Sequence, residues 1–172
     1  MSSMYGPILI VEDVPNVLEV LEVTLRFKGY SVMTARDGEE ALEVVARQRP
    51  ALIITDILMP KLDGYAFVQS LRNNPGTNKI PVIFLSATYV TPEDKAFALS
   101  LGATRFIEKP VDLAKFLPIV ERLLSQGAPA NVEPLNEYEF YEGYQKRLEL
   151  KLTQKNVQIA RDERDRKSTR LN

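Results

Sequence analysis

The sequence predicts an α/β domain built on a doubly wound, five-stranded parallel sheet, with a helical tail after it. Five short apolar runs alternate with five segments whose apolar residues recur at helical spacing. That alternation is the mark of βαβ units joined by right-handed crossovers, with helices on both faces of the sheet. Glycine, proline and aspartate punctuate the boundaries. The pattern fills residues 7–125.

Ile8 to Val11 reads as the first strand, with Glu12 and Asp13 at its C-terminal end. Val14-Pro15-Asn16 opens a helix, since proline is tolerated in a first turn. Val17, Leu18, Leu21 and Leu25 give its inner face, and Gly29 ends it as a C-terminal cap. Tyr30 to Ala35 reads as the second strand. Asp37-Gly38 then turns the chain into a helix through Ala41, Leu42, Val45 and Ala46, finished before Pro50. The third strand is Ala51 to Asp56. The loop Met59-Pro60 to Asp63-Gly64 follows, then a helix marked by Tyr65, Phe67, Val68 and Leu71. Asn73-Asn74-Pro75-Gly76 is a loop. Ile80 to Leu85 is the fourth strand, ending at Ser86-Ala87-Thr88. Thr91 caps the next helix, with Pro92, Glu93 and Asp94 in its first turn and Gly102 at its close. Thr104 to Ile107 is the fifth strand, followed by Glu108-Lys109-Pro110. Asp112 caps a last helix to about Ser125, which Pro118 should bend unless the helix starts later.

Residues 126–136, with Gly127, Pro129 and Pro134, read as a linker. Residues 137–172 form a helical, marginally coiled-coil extension. Tyr138, Tyr141, Leu148, Leu152 and Ile159 fall on a and d positions of one heptad register, with Gln145, Lys155 and Asp162 at the others. Arg161 to Asn172 has no apolar stripe and reads as a solvated or frayed end.

Composition closes several routes. The net charge is −1, so nothing argues for nucleic acid or an anionic membrane as partner. Residues 126–172 hold 9 basic against 8 acidic side chains, so the tail is no basic patch either. There is no cysteine and no histidine, which removes disulfides, thiolate or imidazole metal sites and histidine triads. No signal-peptide pattern opens the chain and no apolar run reaches the length of about 18 residues that spans a bilayer. A cytoplasmic location is the expectation.

The chemistry gathers at one sheet edge. In a doubly wound sheet the C-terminal strand ends lie together, where ligands bind. That places Glu12, Asp13, Asp56, Ser86 and Lys109 side by side. Asp56 ends the central strand, and Pro60 follows too soon for it to start a helix. Three crowded carboxylates repel one another and are tolerable around a divalent cation, for which hard oxygen ligands suit magnesium. A lysine and a hydroxyl supply what a many-oxygened anion needs. Together they fit phosphoryl transfer, with Asp56 as nucleophile.

These residues, in this order, resemble the receiver domains of two-component response regulators, the family of the bacterial chemotaxis regulator. The acidic pair after strand one, Asp56 followed by Met59-Pro60 and Asp63-Gly64, Ser86-Ala87 after strand four and Lys109-Pro110 after strand five all match. The resemblance implies a flavodoxin-like strand order, 2-1-3-4-5. It implies that Asp56 accepts phosphate from a histidine kinase or phosphotransfer protein. Asp13 then binds Mg2+ directly, Glu12 through water, and the Leu58 carbonyl adds a ligand. Ser86 bonds a phosphoryl oxygen, Lys109 pairs with the carboxylate or phosphate, and a cis bond to Pro110 holds Lys109 in place. Phe106 matches the aromatic switch position, while Leu58 and Thr88 occupy positions that tune phosphoryl lifetime. Movement of Ser86 and Phe106 would alter the surface of helix four, strand five and helix five, and through it the pairing of tail helices in a homodimer.

On this reading the protein is a phosphorylation switch with at most autophosphatase activity. A haloacid-dehalogenase-like phosphatase would need a second aspartate two residues after Asp56, where Leu58 stands. A scaffold that never takes phosphate, dimerised by its tail, and the receiver part of a larger hybrid sensor or kinase are the other readings.

Overall fold

In the computed structural model, residues 4–87, 91–127 and 135–171 are described. Thr88 and most of the expected linker, residues 128–134, lie outside them. Strands β1 (Ile8–Val11), β2 (Val32–Ala35), β3 (Leu52–Asp56), β4 (Val82–Ser86) and β5 (Arg105–Glu108) alternate with helices α1 (Pro15–Phe27), α2 (Gly38–Arg47), α3 (Gly64–Arg72), α4 (Pro92–Ser100) and α5 (Leu113–Gln126). A long helix, α6 (Glu137–Leu171), follows. The strands form one sheet in the order β2-β1-β3-β4-β5, every neighbouring pair parallel, as the sequence predicts.

The pleat sorts each strand between two cores. Leu9, Val11, Ile53, Val82 and Phe84 face one side, where α2, α3 and α4 add Val45, Phe67, Val68 and Phe97. Ile8, Ile10, Leu52, Ile54, Ile83 and Leu85 face the other, where α1 and α5 add Leu21, Leu25, Phe116 and Val120. Full burial of such side chains contributes about 1.5–3 kcal/mol each before entropy is counted.

Caps hold the helix starts where the sequence places them. Asp37, Asp63 and Asp112 accept from the backbone N–H groups of Glu40, Ala66 and Ala114. Thr91 and Asp94 make a reciprocal capping box, each side chain accepting from the other's N–H. Several expectations shift: β3 starts at Leu52 instead of Ala51, and β4 runs Val82–Ser86 instead of Ile80–Leu85. β2 starts at Val32 instead of Tyr30, because the Tyr30 N–H is spent on the Leu25 carbonyl in closing α1. β5 runs one residue later than Thr104–Ile107. α5 passes through Pro118 as one helix from Leu113, without the late start.

The loop between β3 and α3 is drawn tight against the sheet. The Gly64 N–H donates to the Ile57 carbonyl at 2.7 Å, and a Cβ on Gly64 would sit 2.1 Å from the Asp56 carbonyl oxygen. Only glycine allows this approach. It presents the Asp56 side chain at the mouth of the sheet.

The heptad seam is not what α6 lays on the domain. Tyr138 and Tyr141 are 75% and 59% exposed, and Leu152 and Ile159 are also exposed. Phe140, Tyr144, Arg147, Leu148 and Lys151 are the residues turned inward. Phe140 stacks on both Phe97 and Tyr144, and Gly143 gives Phe97 room, since a Cβ there would lie 2.8 Å from the ring. The Tyr144 hydroxyl donates to Asp63. The expected solvated end is exposed over residues 161–167, yet it stays helical to Leu171.

Candidate functional site

Sheet register assembles the site. Val11 pairs with Thr55, which sets Glu12 beside Asp56. Asp56 pairs with Leu85 and Ser86 with Glu108, which brings Ser86 and Lys109 to the same edge. All five predicted residues therefore meet there. The Lys109 ammonium bridges two acids, at 2.7 Å from Glu12 Oε2 and 3.1 Å from Asp56 Oδ2. Its backbone N–H is fixed by the Ser86 carbonyl, and the Lys109–Pro110 peptide is cis, as expected. Asp56 Oδ1 accepts from the Ile57 N–H at 2.7 Å. Leu58 lines the cavities on both sides of the site.

Burial sets the electrostatics. Asp56 is only 8% exposed and Glu12 is fully buried. Desolvation raises the Asp56 carboxyl above the usual range, with Lys109 opposing it. Glu12 is pushed from 4.5 up to about 7, first by burial and then by the Asp56 charge, against the pull of Lys109. Burial works against the Lys109 ammonium, but Asp56 and Glu12 overcome it and hold its pKa above the ordinary value.

The donor set fits a cation. Oxygens of Glu12, Asp13 and Asp56 lie within 4.8 Å of one another. Asp13 Oδ1 is buried with no hydrogen-bond partner, and among the described residues Lys109 makes the ion pairs to Glu12 and Asp56. Three carboxylates against one ammonium leave negative charge that a hard divalent ion would balance.

A stability consequence follows for the metal-free protein. Glu12 holds its proton more tightly when folded, so the unfolded chain releases it first as pH rises. That stability is intact below about 4.5 and is lost as pH climbs through about 7. Thermal unfolding without magnesium should show a loss on the order of 1–2 kcal/mol between pH 5 and 7.5. Glu12→Gln should flatten that slope, and added magnesium should stabilise the wild type more at pH 7.5 than at pH 5.

Known proteins are similar in sequence and fold. Residues 8–121 match the family described as the response regulator receiver domain. The chain belongs to this family. It is a receiver domain of two-component signalling with a C-terminal helix. The receiver domain of a signal transduction histidine kinase from Syntrophus aciditrophicus is 40% identical, with a TM-score of 0.65 over 73% of this chain and 96% of that one. The chemotaxis response regulator CheY4 of Vibrio cholerae is 32% identical, with a TM-score of 0.65 over 70% of this chain and all of the other. Among curated relatives, "Probable transcriptional regulator ycf27" of Porphyridium aerugineum is 41% identical over 103 residues, 60% of this chain and 41% of the relative. "Response regulator MprA" of Mycobacterium leprae is 39% identical over 122 residues, 71% of this chain and 52% of the relative. The receiver chain thus spans about half or less of these two relatives. Among the described residues no helix is long and apolar enough to cross a membrane.

The sequence reading missed what surrounds Ser86. Lys151 of α6 is fully buried, and its ammonium donates to Ser86 Oγ at 3.4 Å. It lies 3.5 Å from Asp94 Oδ2 and 5.8 Å from the centroid of the Phe106 ring. Arg147 reaches the other Asp94 oxygen at 3.7 Å. Phe140, Tyr144, Arg147, Leu148 and Lys151 do form a helical stripe, but two of its five members are cations. A search for apolar seams discards such a stripe.

Proposed function

We propose that this receiver accepts a phosphoryl group on Asp56 from a phosphohistidine of a histidine kinase or phosphotransfer protein in the cytoplasm. It works as a switch and not as a conventional enzyme, with slow self-hydrolysis at most. The observation that carries this is the Lys109 ammonium clamped between Glu12 and Asp56 beside the unpartnered Asp13 oxygen. In the transfer an Asp56 oxygen forms a bond to phosphorus as the donor's N–P bond breaks, and the imidazole keeps the nitrogen electron pair and takes a proton. Lys109 holds Asp56 in place and offers its charge to the incoming oxygens. Ser86 donates its hydroxyl to a phosphoryl oxygen, and Phe106 follows it. Asp13 and Asp56, the Leu58 carbonyl and Glu12 through water would hold Mg2+, which when bound supplies charge neutralisation for the transferred group.

Acetyl phosphate with magnesium should add one phosphoryl group to the intact mass of the wild type and none to Asp56→Asn. A wild type that binds magnesium yet gains no mass would sink the reading and leave a scaffold. A homodimer through α6 is a second reading, supported by the exposed Tyr138 and Tyr141.

A further inference from the structure

α6 crosses the mouth of the phosphoacceptor site. A cavity of about 560 Å³ has Asp56, Leu58, Ser86 and Ala87 on one wall and α6 residues from Thr153 to Arg161 on the other. On the far side of the helix, Leu148, Leu152 and Lys155 line a second hollow with Asp13, Leu58 and Met59. The helix is pinned just before this crossing by Phe140, Tyr144, Arg147 and Lys151.

The charges on this stretch have one sign. Lys151, Lys155 and Arg161 are the charged α6 residues at Ser86 or in these two cavity walls, and no α6 carboxylate lines either. From the domain, Asp94 faces Lys151, and Asp56 and Asp13 lie beyond Ser86. Phe106 offers its ring face to the same ammonium. Burial lowers the Lys151 pKa, while Asp94 and Asp56 support its charge. A second negative group near Ser86 would support it further.

We propose that α6 is a latch bound in cis to its own receiver, and that Lys151 is a sensing residue whose hold tightens when Asp56 carries a phosphoryl group. The proposal rests on Asp56 being the phosphoacceptor. A phosphoryl group adds about −1.5 to −2 of charge. Lys151 uses a lone pair of Ser86 Oγ, so its bond does not consume the hydroxyl proton that a phosphoryl oxygen would accept. Ser86 then stands between the phosphoryl oxygens and the ammonium as a shared partner. Lys151 is fully buried and Ser86 nearly so, and between buried groups this attraction is weakly screened. The outcome is an α6 held closed by phosphorylation, which withdraws its inner face from any other partner.

Hydrogen–deuterium exchange on the full chain tests this, with acetyl phosphate and magnesium and the intact mass read on the same sample. Amides of residues 140–151 should exchange about tenfold more slowly in the phosphorylated wild type. Lys151→Arg should keep that response. Lys151→Gln should loosen α6 in both states and lose the difference between them, while still gaining the phosphoryl mass. Unchanged or faster α6 exchange in the phosphorylated wild type would overturn the latch. So would a Lys151→Gln protein that slows as much as wild type, or one that loosens yet keeps the full difference, because Lys151 would then be only an anchor. If no protein gains mass, the phosphoacceptor reading fails and takes the latch with it.

Discussion

Lys109→Ala is expected to slow phosphoryl uptake from acetyl phosphate by about 100-fold or more, the scale of losing one preorganised charge donor. The same substitution is expected to tighten magnesium binding. The two effects have opposite signs because Lys109 does two jobs. It meets Asp56 Oδ2 at 3.1 Å, where an incoming phosphoryl oxygen needs positive charge. It also occupies Glu12 Oε2 at 2.7 Å, so it competes with a metal for the acids. Removing the ammonium leaves Glu12, Asp13 and Asp56 without their close cation, and a divalent ion becomes the remaining counter-charge. Rates followed by intact mass, with magnesium affinity from calorimetry, separate the two jobs. Weaker magnesium binding in Lys109→Ala would mean that the lysine holds the site's shape and does not compete for its charge. Lys109→Arg is not expected to restore the rate, since a planar fork cannot take the place of a compact ammonium between two carboxylates.

Arg72→Ala is expected to cost on the order of 3–5 kcal/mol, and to lower the midpoint of thermal unfolding by about 10 °C or more. Arg72 ends α3 and is nearly fully buried. Its guanidinium donates to four carbonyls: Leu101 at 3.0 Å, Gly102 at 3.0 Å, Asn78 at 3.0 Å and Ile80 at 2.8 Å. Two of these close α4 and two lead into β4, so one side chain ties the entry of the central sheet to the helix that carries Asp94. Burial lowers its pKa to about 10, which still leaves it charged at neutral pH. Alanine would strand those carbonyls away from water, and lysine could reach only some of them. Denaturant unfolding of Ala and Lys variants measures this, and a loss below about 1 kcal/mol for Arg72→Ala would show that water replaces the guanidinium. Phosphoryl uptake at low temperature should be little changed, because no atom of Arg72 touches the acid site.

These two residues mark what was legible in the chain. Lys109 could be placed because it follows a strand, and a parallel sheet brings strand ends together whatever packs around them. Asp56, Glu12, Asp13 and Ser86 were legible for the same reason. The parallel sheet, the caps at Asp112 and Thr91, and the stop at Gly29 also depend on near neighbours or on rules of chain topology, while the strand order came with the family resemblance. Arg72 reads along the chain as an ordinary basic residue near a helix end. Its worth comes from carbonyls up to 30 positions away.

The same division runs through the tail. The amino-acid sequence by itself determined that a helix follows the receiver, since residues after 136 favour helix and hold no proline and a single glycine, Gly143. Only the tertiary structure decided which side of that helix is the inside. Periodicity scores apolar side chains, and the exposed Tyr138 and Tyr141 scored well while the buried Lys151 scored as solvent-facing. A lysine can be buried when a counter-charge and an acceptor wait for it, and those belong to Asp94 and Ser86, 57 and 65 residues earlier in the chain. Local pattern fixes the period of a helix, but the partner surface that selects its inner face exists only once the sheet has closed.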